Sequence, residues 1–270
     1  MTEYDDLELV KVTREGKVLV ISLNRPESRN AINGELAQDL HEALRRVAQD
    51  DTARAVLLRG EGKSFCVGGD VKMFAERQEE AEPPSPAVRA LGTLHGTEMI
   101  DLLLAIPQPT IAAVQGHAMG LGSTIALFCD VVVAAEDAQI ADSHVNIGLV
   151  AGDGGAVMWP LLLPFGAAKW YLMTGDRMTG TEAERLGLVL KAVPEPELLE
   201  HAMGVATRLA ELPPLALQGT KATLNRIIKH RMDLTLDFGL LYEGATFLSE
   251  DHREATAAFI EKRSPDFKGR

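Results

Sequence analysis

The chain has 270 residues, of which 46% are hydrophobic, and its formal net charge is -12 at pH 7. A chain of this length and apolar content can bury a substantial core, which excludes a mainly disordered protein. The acidic balance also argues against nucleic acid as a partner, because affinity for a phosphate backbone comes mainly from lysine and arginine.

Cysteine usage and hydropathy predict a cytoplasmic protein that needs neither export nor a membrane. Cys66 and Cys129 show no C-x-x-C or Cys/His spacing, so neither a disulfide framework nor a zinc site is indicated, and we expect no metal. The N-terminus carries acids where a signal peptide would need a basic start. Residues 111–128 are mostly apolar, but polar residues such as His117 and a cluster of glycines make a membrane span improbable.

The first part of the chain alternates strands and helices. Apolar patterns predict strands at 7–12, 18–23, 55–58, 110–114 and 131–135, and helices at 34–49, 88–106 and 123–128. A glycine-rich turn at 116–122 separates the fourth strand from the last of these helices. The repeated order of strand, glycine turn and helix predicts an α/β architecture with parallel strands inside helices.

The C-terminal part has a different character. Residues 197–212, 215–228, 234–248 and 251–262 all fit helices, with prolines between the first of them. We therefore expect two regions: residues 1–193 form a core, and residues 194–270 form a helical region that packs on the core or on another subunit.

Four glycine-containing motifs follow one another at characteristic spacing. They are Phe65-Cys66-Val67-Gly68-Gly69-Asp70-Val71-Lys72, Gln115-Gly116-His117-Ala118-Met119-Gly120-Leu121-Gly122, Cys129-Asp130-Val131-Val132 and Leu172-Met173-Thr174-Gly175-Asp176. In this order they resemble the crotonase (enoyl-CoA hydratase/isomerase) superfamily over nearly the whole chain. The resemblance implies that residues 1–193 form a ββα spiral core that carries the active site. It also implies that residues 194–270 form a helical C-terminal trimerisation region, so that the chain assembles as a homo-trimer or a dimer of trimers. It also implies a small-molecule acyl-CoA substrate, with no permanently bound cofactor and CoA present only as part of that substrate.

The glycines have a chemical use in such an enzyme. A reaction next to a thioester carbonyl develops negative charge on oxygen, and small residues allow backbone N–H groups to approach that oxygen closely. The resemblance assigns the two N–H donors of this oxyanion hole to Gly69 and Leu121. The alternative is that both segments are only tight turns that require positive φ.

The same resemblance implies a CoA site. It comprises Arg25, Asn30, Ala31 and Lys72 at the entrance, with Phe259 and Lys262 near the adenosine phosphates of CoA bound to the same subunit or to a neighbouring one. Basic side chains suit phosphates in an otherwise acidic protein. For the two lysines, a solvated surface position is the alternative.

The acid/base residues depart from the family pattern. The family's hydratases use two glutamates, and Thr124 and His144 occupy those positions here. Histidine suits proton transfer near neutrality, and a nearby Asp153 can orient it. This arrangement resembles the crotonase-fold β-diketone hydrolases of the oxo-camphor hydrolase type. We therefore predict that His144 is the acid/base group, that Asp153 orients it or only caps the next helix, and that Thr124 contributes at most a hydrogen bond.

Three functions are consistent with these residues. The first is an acyl-CoA hydratase, isomerase or lyase that stabilises an enolate and uses the His/Asp pair. The second is a hydrolase that cleaves a C–C bond of a cyclic β-diketone. The third is a non-catalytic acyl-CoA binder, which the missing glutamates allow.

Overall fold

The computed structural model describes residues 4–79 and 97–270, and its strands form two sheets. The strands are β1 (Val10–Glu15), β2 (Val18–Leu23), β3 (Ala55–Gly60), β4 (Thr110–Val114), β5 (His117–Met119), β6 (Val131–Ala135), β7 (Gln139–Ala141), β8 (Met178–Thr179) and β9 (Lys191–Val193). The larger sheet has the order β1-β2-β3-β4-β6-β9, antiparallel between β1 and β2 and parallel elsewhere. The smaller sheet has the order β5-β7-β8.

Ten helices lie in the described residues, and several of them pack on the larger sheet. They are α1 (Gly34–Gln49), α2 (Val71–Glu79), α3 (Glu98–Ala105), α4 (Leu121–Leu127), α5 (Gly155–Leu162), α6 (Phe165–Thr174), α7 (Gly180–Leu186), α8 (Leu198–Ala210), α9 (Pro214–Thr246) and α10 (Glu250–Glu261). The central strands β2 and β4 are buried along their whole length, which explains their nearly continuous apolar sequences. This confirms the predicted α/β architecture with parallel strands inside helices.

Local signals explain where several elements begin. The side chain of Asn33 accepts a hydrogen bond from the backbone N–H of Leu36 at 2.9 Å and so caps α1 at the predicted position. The first strand begins and ends three residues later than predicted. It continues to Glu15 because Gly16, at φ 60°, turns the chain so that Glu15 pairs with Val18. The predicted helix at 88–106 lies partly outside the described residues, and its described part is α3.

One prediction for the C-terminal region is wrong. The two expected helices at 215–228 and 234–248 are a single helix, α9, of 33 residues. Residues 229–233 contain neither proline nor glycine, so nothing in this segment interrupts the backbone hydrogen bonds. The helix packs against α5, and its continuation α10 packs against α2. The division into a core and an association region stays a prediction.

The packing of α10 on α2 has an aromatic centre. The Phe74 ring on α2 meets the Phe247 ring edge to face, with 5.4 Å between centroids, and His252 of α10 contacts both. His252 also bonds through Nδ1 to the carbonyl oxygen of Ile147 at 2.6 Å, and Ile147 is the last residue of the 3-10 turn that begins at His144. Within the described ranges, no helix combines the length and the apolar character that a bilayer crossing requires.

Candidate active site

The two glycine motifs run side by side. Cys66 and Ala118 form a parallel bridge, and the Met119 N–H donates to the carbonyl oxygen of Cys66 at 3.0 Å. Gly68 has a φ of 86°, and a Cβ atom added there would lie 2.6 Å from the carbonyl oxygen of Met119. No other residue fits this contact without displacing the backbone. The glycine therefore holds the segment that contains Gly69 against the segment that leads to Leu121.

The backbone N–H groups of Gly69 and Leu121 donate no hydrogen bond within the described residues. Leu121 is the first residue of α4, where an N–H has no partner inside the helix. A Cβ atom added at Gly68 would lie 3.4 Å from the Leu121 nitrogen, so the two motifs are in close contact at this point. This arrangement suits an anionic oxygen, and the role of both donors stays a prediction.

A buried charge cluster lies beside these donors. His144 contacts Asp142 through Nδ1 at 2.6 Å and Asp153 through Nε2 at 3.2 Å. A Cβ atom added at Gly120, the residue before Leu121, would lie 3.5 Å from Cε1 of His144. The imidazole is therefore held between two carboxylates, within one residue of the predicted oxyanion hole.

The structure brings Thr124 into the same cluster. One turn after Leu121, its hydroxyl donates to Oδ1 of Asp153 at 3.0 Å, which is the contact that the sequence prediction allowed. Asp153 also accepts the backbone N–H of Gly155 at the start of α5. Asp153 thus contacts His144 and supports the helix terminus at once, so the two alternatives considered for it are not exclusive.

The charges of the cluster shift two pKa values in opposite directions. Burial disfavours a charged imidazole, but Asp153 and Asp142 outweigh it, so the pKa of His144 is raised well above 6.5. Burial would raise the pKa of Asp153, but the charge and hydrogen bond of His144 lower it below 3.8. At neutral pH His144 is an imidazolium and Asp153 a carboxylate.

Sequence reasoning missed two members of this cluster. Asp142 follows β7 directly, and its carboxylate contacts Nδ1 of His144. The sequence signal that could have identified it was its position only two residues before His144. Glu243 comes from α9 and is buried, and its carboxyl lies against Gly152, the residue before Asp153. The only sequence signal for Glu243 was that its position falls on the same helical face as the buried residues Leu236 and Leu240.

Within the described residues, this cluster suits a proton better than a metal ion. A metal ligand must offer an unprotonated nitrogen, whereas each ring nitrogen of His144 faces a carboxylate oxygen at hydrogen-bond distance.

The residues predicted at the CoA entrance are tightly connected. Arg25 donates through Nη1 to Asp70 at 2.6 Å and to the carbonyl oxygen of Ala31 at 3.0 Å. The buried amide of Asn30 donates to three backbone carbonyls in the segment 61–65. These contacts shape the loop beside Gly69, and a direct contact with CoA stays a prediction.

The remaining residues of the predicted CoA site lie on two helices that pack together. Lys72 is exposed on α2, and Phe259 and Lys262 are exposed at the end of α10 of the same chain. Exposed cations on adjacent helices are consistent with phosphate binding, which stays a prediction here.

Comparison with known proteins gives a full-length match. The family described as Enoyl-CoA hydratase/isomerase matches residues 13–270. The chain belongs to the enoyl-CoA hydratase/isomerase family. It is 34% identical to the 2,3-dehydroadipyl-CoA hydratase of Escherichia coli over 96% of this chain and 98% of that protein. It is 31% identical to the 1,2-epoxyphenylacetyl-CoA isomerase of the same organism, over 98% of this chain and 100% of that protein.

Solved structures agree with this assignment. An enoyl-CoA hydratase/isomerase from Mycobacterium paratuberculosis superposes with a TM-score of 0.85 at 35% identity, covering 93% of this chain and 99% of that chain. The resemblance to the crotonase superfamily is therefore confirmed, as are the crotonase fold and the expectation of an enzyme. The protein is an enzyme of a family that acts on acyl-CoA thioesters.

Proposed function

We propose that this enzyme binds an acyl-CoA thioester, holds the enolate oxygen on the N–H groups of Gly69 and Leu121, and moves a proton at the adjacent carbon with His144 and Asp153. The observation that carries the proposal is the position of the His144 ring next to Gly120, the residue before one predicted donor. An anionic oxygen and a proton-transfer group are both required when charge develops beside a thioester.

The charge state of the pair supports this chemistry. An imidazolium at His144 can donate a proton, and the carboxylate of Asp153 can accept one. Asp142 holds the ring in place through a 2.6 Å contact and stabilises its positive charge. The pair therefore replaces, with different residues, the acid/base function that Thr124 cannot supply.

Incubation with a panel of enoyl-CoA, β-ketoacyl-CoA and cyclic β-diketone substrates, with products identified by mass spectrometry, tests the proposal. We expect conversion of at least one CoA thioester and none of the diketones. Cleavage of a diketone alone would replace this proposal with the C–C bond hydrolase. Binding of CoA thioesters in isothermal titration without any turnover would indicate a non-catalytic binder.

We also propose that the chain assembles as a trimer or a dimer of trimers. The long helix α9 leaves large apolar side chains exposed, namely Leu234, Phe238, Leu241 and Tyr242, with exposures between 51% and 67%. Apolar side chains clustered on one helix suit an interface between subunits.

Phe238→Lys should lower the assembly state measured by light scattering after size exclusion, because a charge would enter the proposed interface. Thr223→Lys, an exposed substitution elsewhere on α9, serves as the matched control and should leave assembly unchanged. A Phe238→Lys protein with unaltered molar mass would place the interface on another surface.

A further inference from the structure

We propose that His252 is a positioning residue that fixes the turn carrying His144 against the segment carrying Gly69. The inference goes beyond the proposed function but rests on it, because it concerns the geometry in which His144 moves a proton.

The His252 ring is bonded to the turn that contains His144. Its Nδ1 lies 2.6 Å from the carbonyl oxygen of Ile147, and because a carbonyl oxygen only accepts, Nδ1 carries the hydrogen. Ile147 ends the 3-10 turn that begins at His144, and the N–H of Leu149 donates to the His144 carbonyl oxygen at 2.9 Å. The bond from His252 therefore holds the backbone that carries the His144 side chain.

The same ring packs on the aromatic side chains next to Gly69. Its centroid lies 5.9 Å from that of Phe74 and 5.1 Å from that of Phe247. A Cβ atom added at Gly69 would lie 2.5 Å from Cζ of Phe74, so the Phe74 ring lies directly against this glycine. His252 thus connects the backbone of the proton-transfer group with the backbone of a predicted oxyanion donor.

Helix α10 holds His252 at this junction. The Ser249 hydroxyl accepts the His252 N–H at 3.0 Å, and the Thr256 hydroxyl donates to the His252 carbonyl oxygen at 2.8 Å. A Cβ atom added at Gly148 would lie 3.0 Å from Cα of His252, so the first turn of α10 packs directly on the end of the 3-10 turn.

Packing alone does not account for a histidine at this position. His252 is 1% exposed, and its Nε2 has no hydrogen-bond partner among the residues that the structure describes. Phenylalanine would fill a similar space between the two rings without leaving a buried nitrogen unpaired, which is unfavourable. It could not donate to Ile147. Burial also lowers the pKa of His252 below 6.5, so the ring is neutral near pH 7 and its one proton lies on Nδ1.

The relative position of the two connected segments matters for the proposed chemistry. The enolate oxygen must lie on the Gly69 N–H while His144 acts at the adjacent carbon, and a misplacement of about 1 Å can cost about a hundredfold in rate. Loss of the Nδ1 bond would let the turn shift without changing the groups that bind the rest of the substrate. We therefore expect an effect on kcat and not on KM.

The test uses two substitutions of His252 in the full-length enzyme, with a CoA thioester that the wild-type enzyme converts. His252→Phe keeps a ring against Phe74 but loses the bond to Ile147, and its kcat should fall by roughly ten- to a hundredfold with KM within about twofold of wild type. His252→Asn, whose amide places a donor close to the position of Nδ1, should be at least about threefold faster than His252→Phe. His201→Phe, at an exposed position on α8, is the matched control and should behave as wild type.

A double variant separates positioning of His144 from general stabilisation. If His252 acts through His144, His252→Phe should change the residual turnover of His144→Ala by less than about twofold. A merely structural histidine would lower Tm and leave the kcat of the folded protein unchanged. Turnover is therefore measured at a temperature at which circular dichroism shows every variant to be folded.

Three results would overturn the inference and leave the proposed function standing. They are a folded His252→Phe enzyme with more than a third of wild-type kcat, a His252→Asn enzyme no faster than His252→Phe, and an equal loss from His252→Phe with and without His144. A wild-type enzyme that converts no CoA thioester would instead refute the proposed function, and the positioning role of His252 with it.

Discussion

Replacing His144 with alanine should lower turnover by roughly 10² to 10⁴-fold, the usual contribution of a positioned acid/base group. The loss has two physical causes. The imidazolium that donates the proton is removed, and Asp153 loses the charge that keeps it ionised in a buried site. Turnover should be measured on a CoA thioester that the wild-type enzyme converts, with binding measured separately by titration.

The same substitution leaves Asp142 and Asp153 buried without their common partner, which can cost roughly 3 to 5 kcal/mol of stability. Circular dichroism must therefore show that the His144→Ala protein is folded. His144→Gln, which keeps an amide donor, provides a second variant for the turnover measurement. His230→Ala, at an exposed position on α9, is the matched control. A folded His144 variant with more than a third of wild-type turnover would assign His144 a structural role.

Replacing Gly69 with proline should cut turnover at least about a hundredfold, because it deletes one of the two N–H donors. Loss of such a donor typically costs roughly 2.7 to 4 kcal/mol in the transition state. A Cβ atom at this position would also lie 2.5 Å from Cζ of Phe74, so part of any effect could come from displacing that ring.

Gly69→Ala separates the two effects, since alanine adds the same Cβ atom against Phe74 but keeps the N–H. Both variants should show a similar Tm, and the proline variant should be much slower than the alanine variant. Equal turnover in the two folded proteins would show that the Gly69 N–H does not hold the oxyanion.

The sequence predicted the sheet well and the helical region less well. Strand β2 and helix α1 have the predicted bounds, because their apolar patterns are continuous or strongly periodic and their ends carry clear signals. The break predicted between helices 215–228 and 234–248 was wrong. The helix continues through 229–233 because this segment contains no helix breaker and because α9 packs against α5.

The acid/base site was predictable only in part. His144, Asp153 and Thr124 do come together as expected from their spacing in the family pattern. The contact of Asp142 with Nδ1 depends on how the chain turns after β7. Glu243 lies 90 residues beyond Asp153 in sequence (243 minus 153), and their proximity requires the fold of α9 against Gly152. Periodicity along a helix identifies a buried face, but it does not identify what that face contacts.

Deuterium incorporation from D₂O into the carbon next to the thioester, followed by mass spectrometry, tests the central claim most directly. Enolate formation in the Gly69 and Leu121 hole, with proton transfer by His144 and Asp153, predicts that the wild-type enzyme labels this carbon in a CoA thioester that it binds. The His144→Ala protein should label it at least about a hundredfold more slowly. Equal labelling by the two proteins, or none by the wild-type enzyme with any CoA thioester that it converts, would contradict the account.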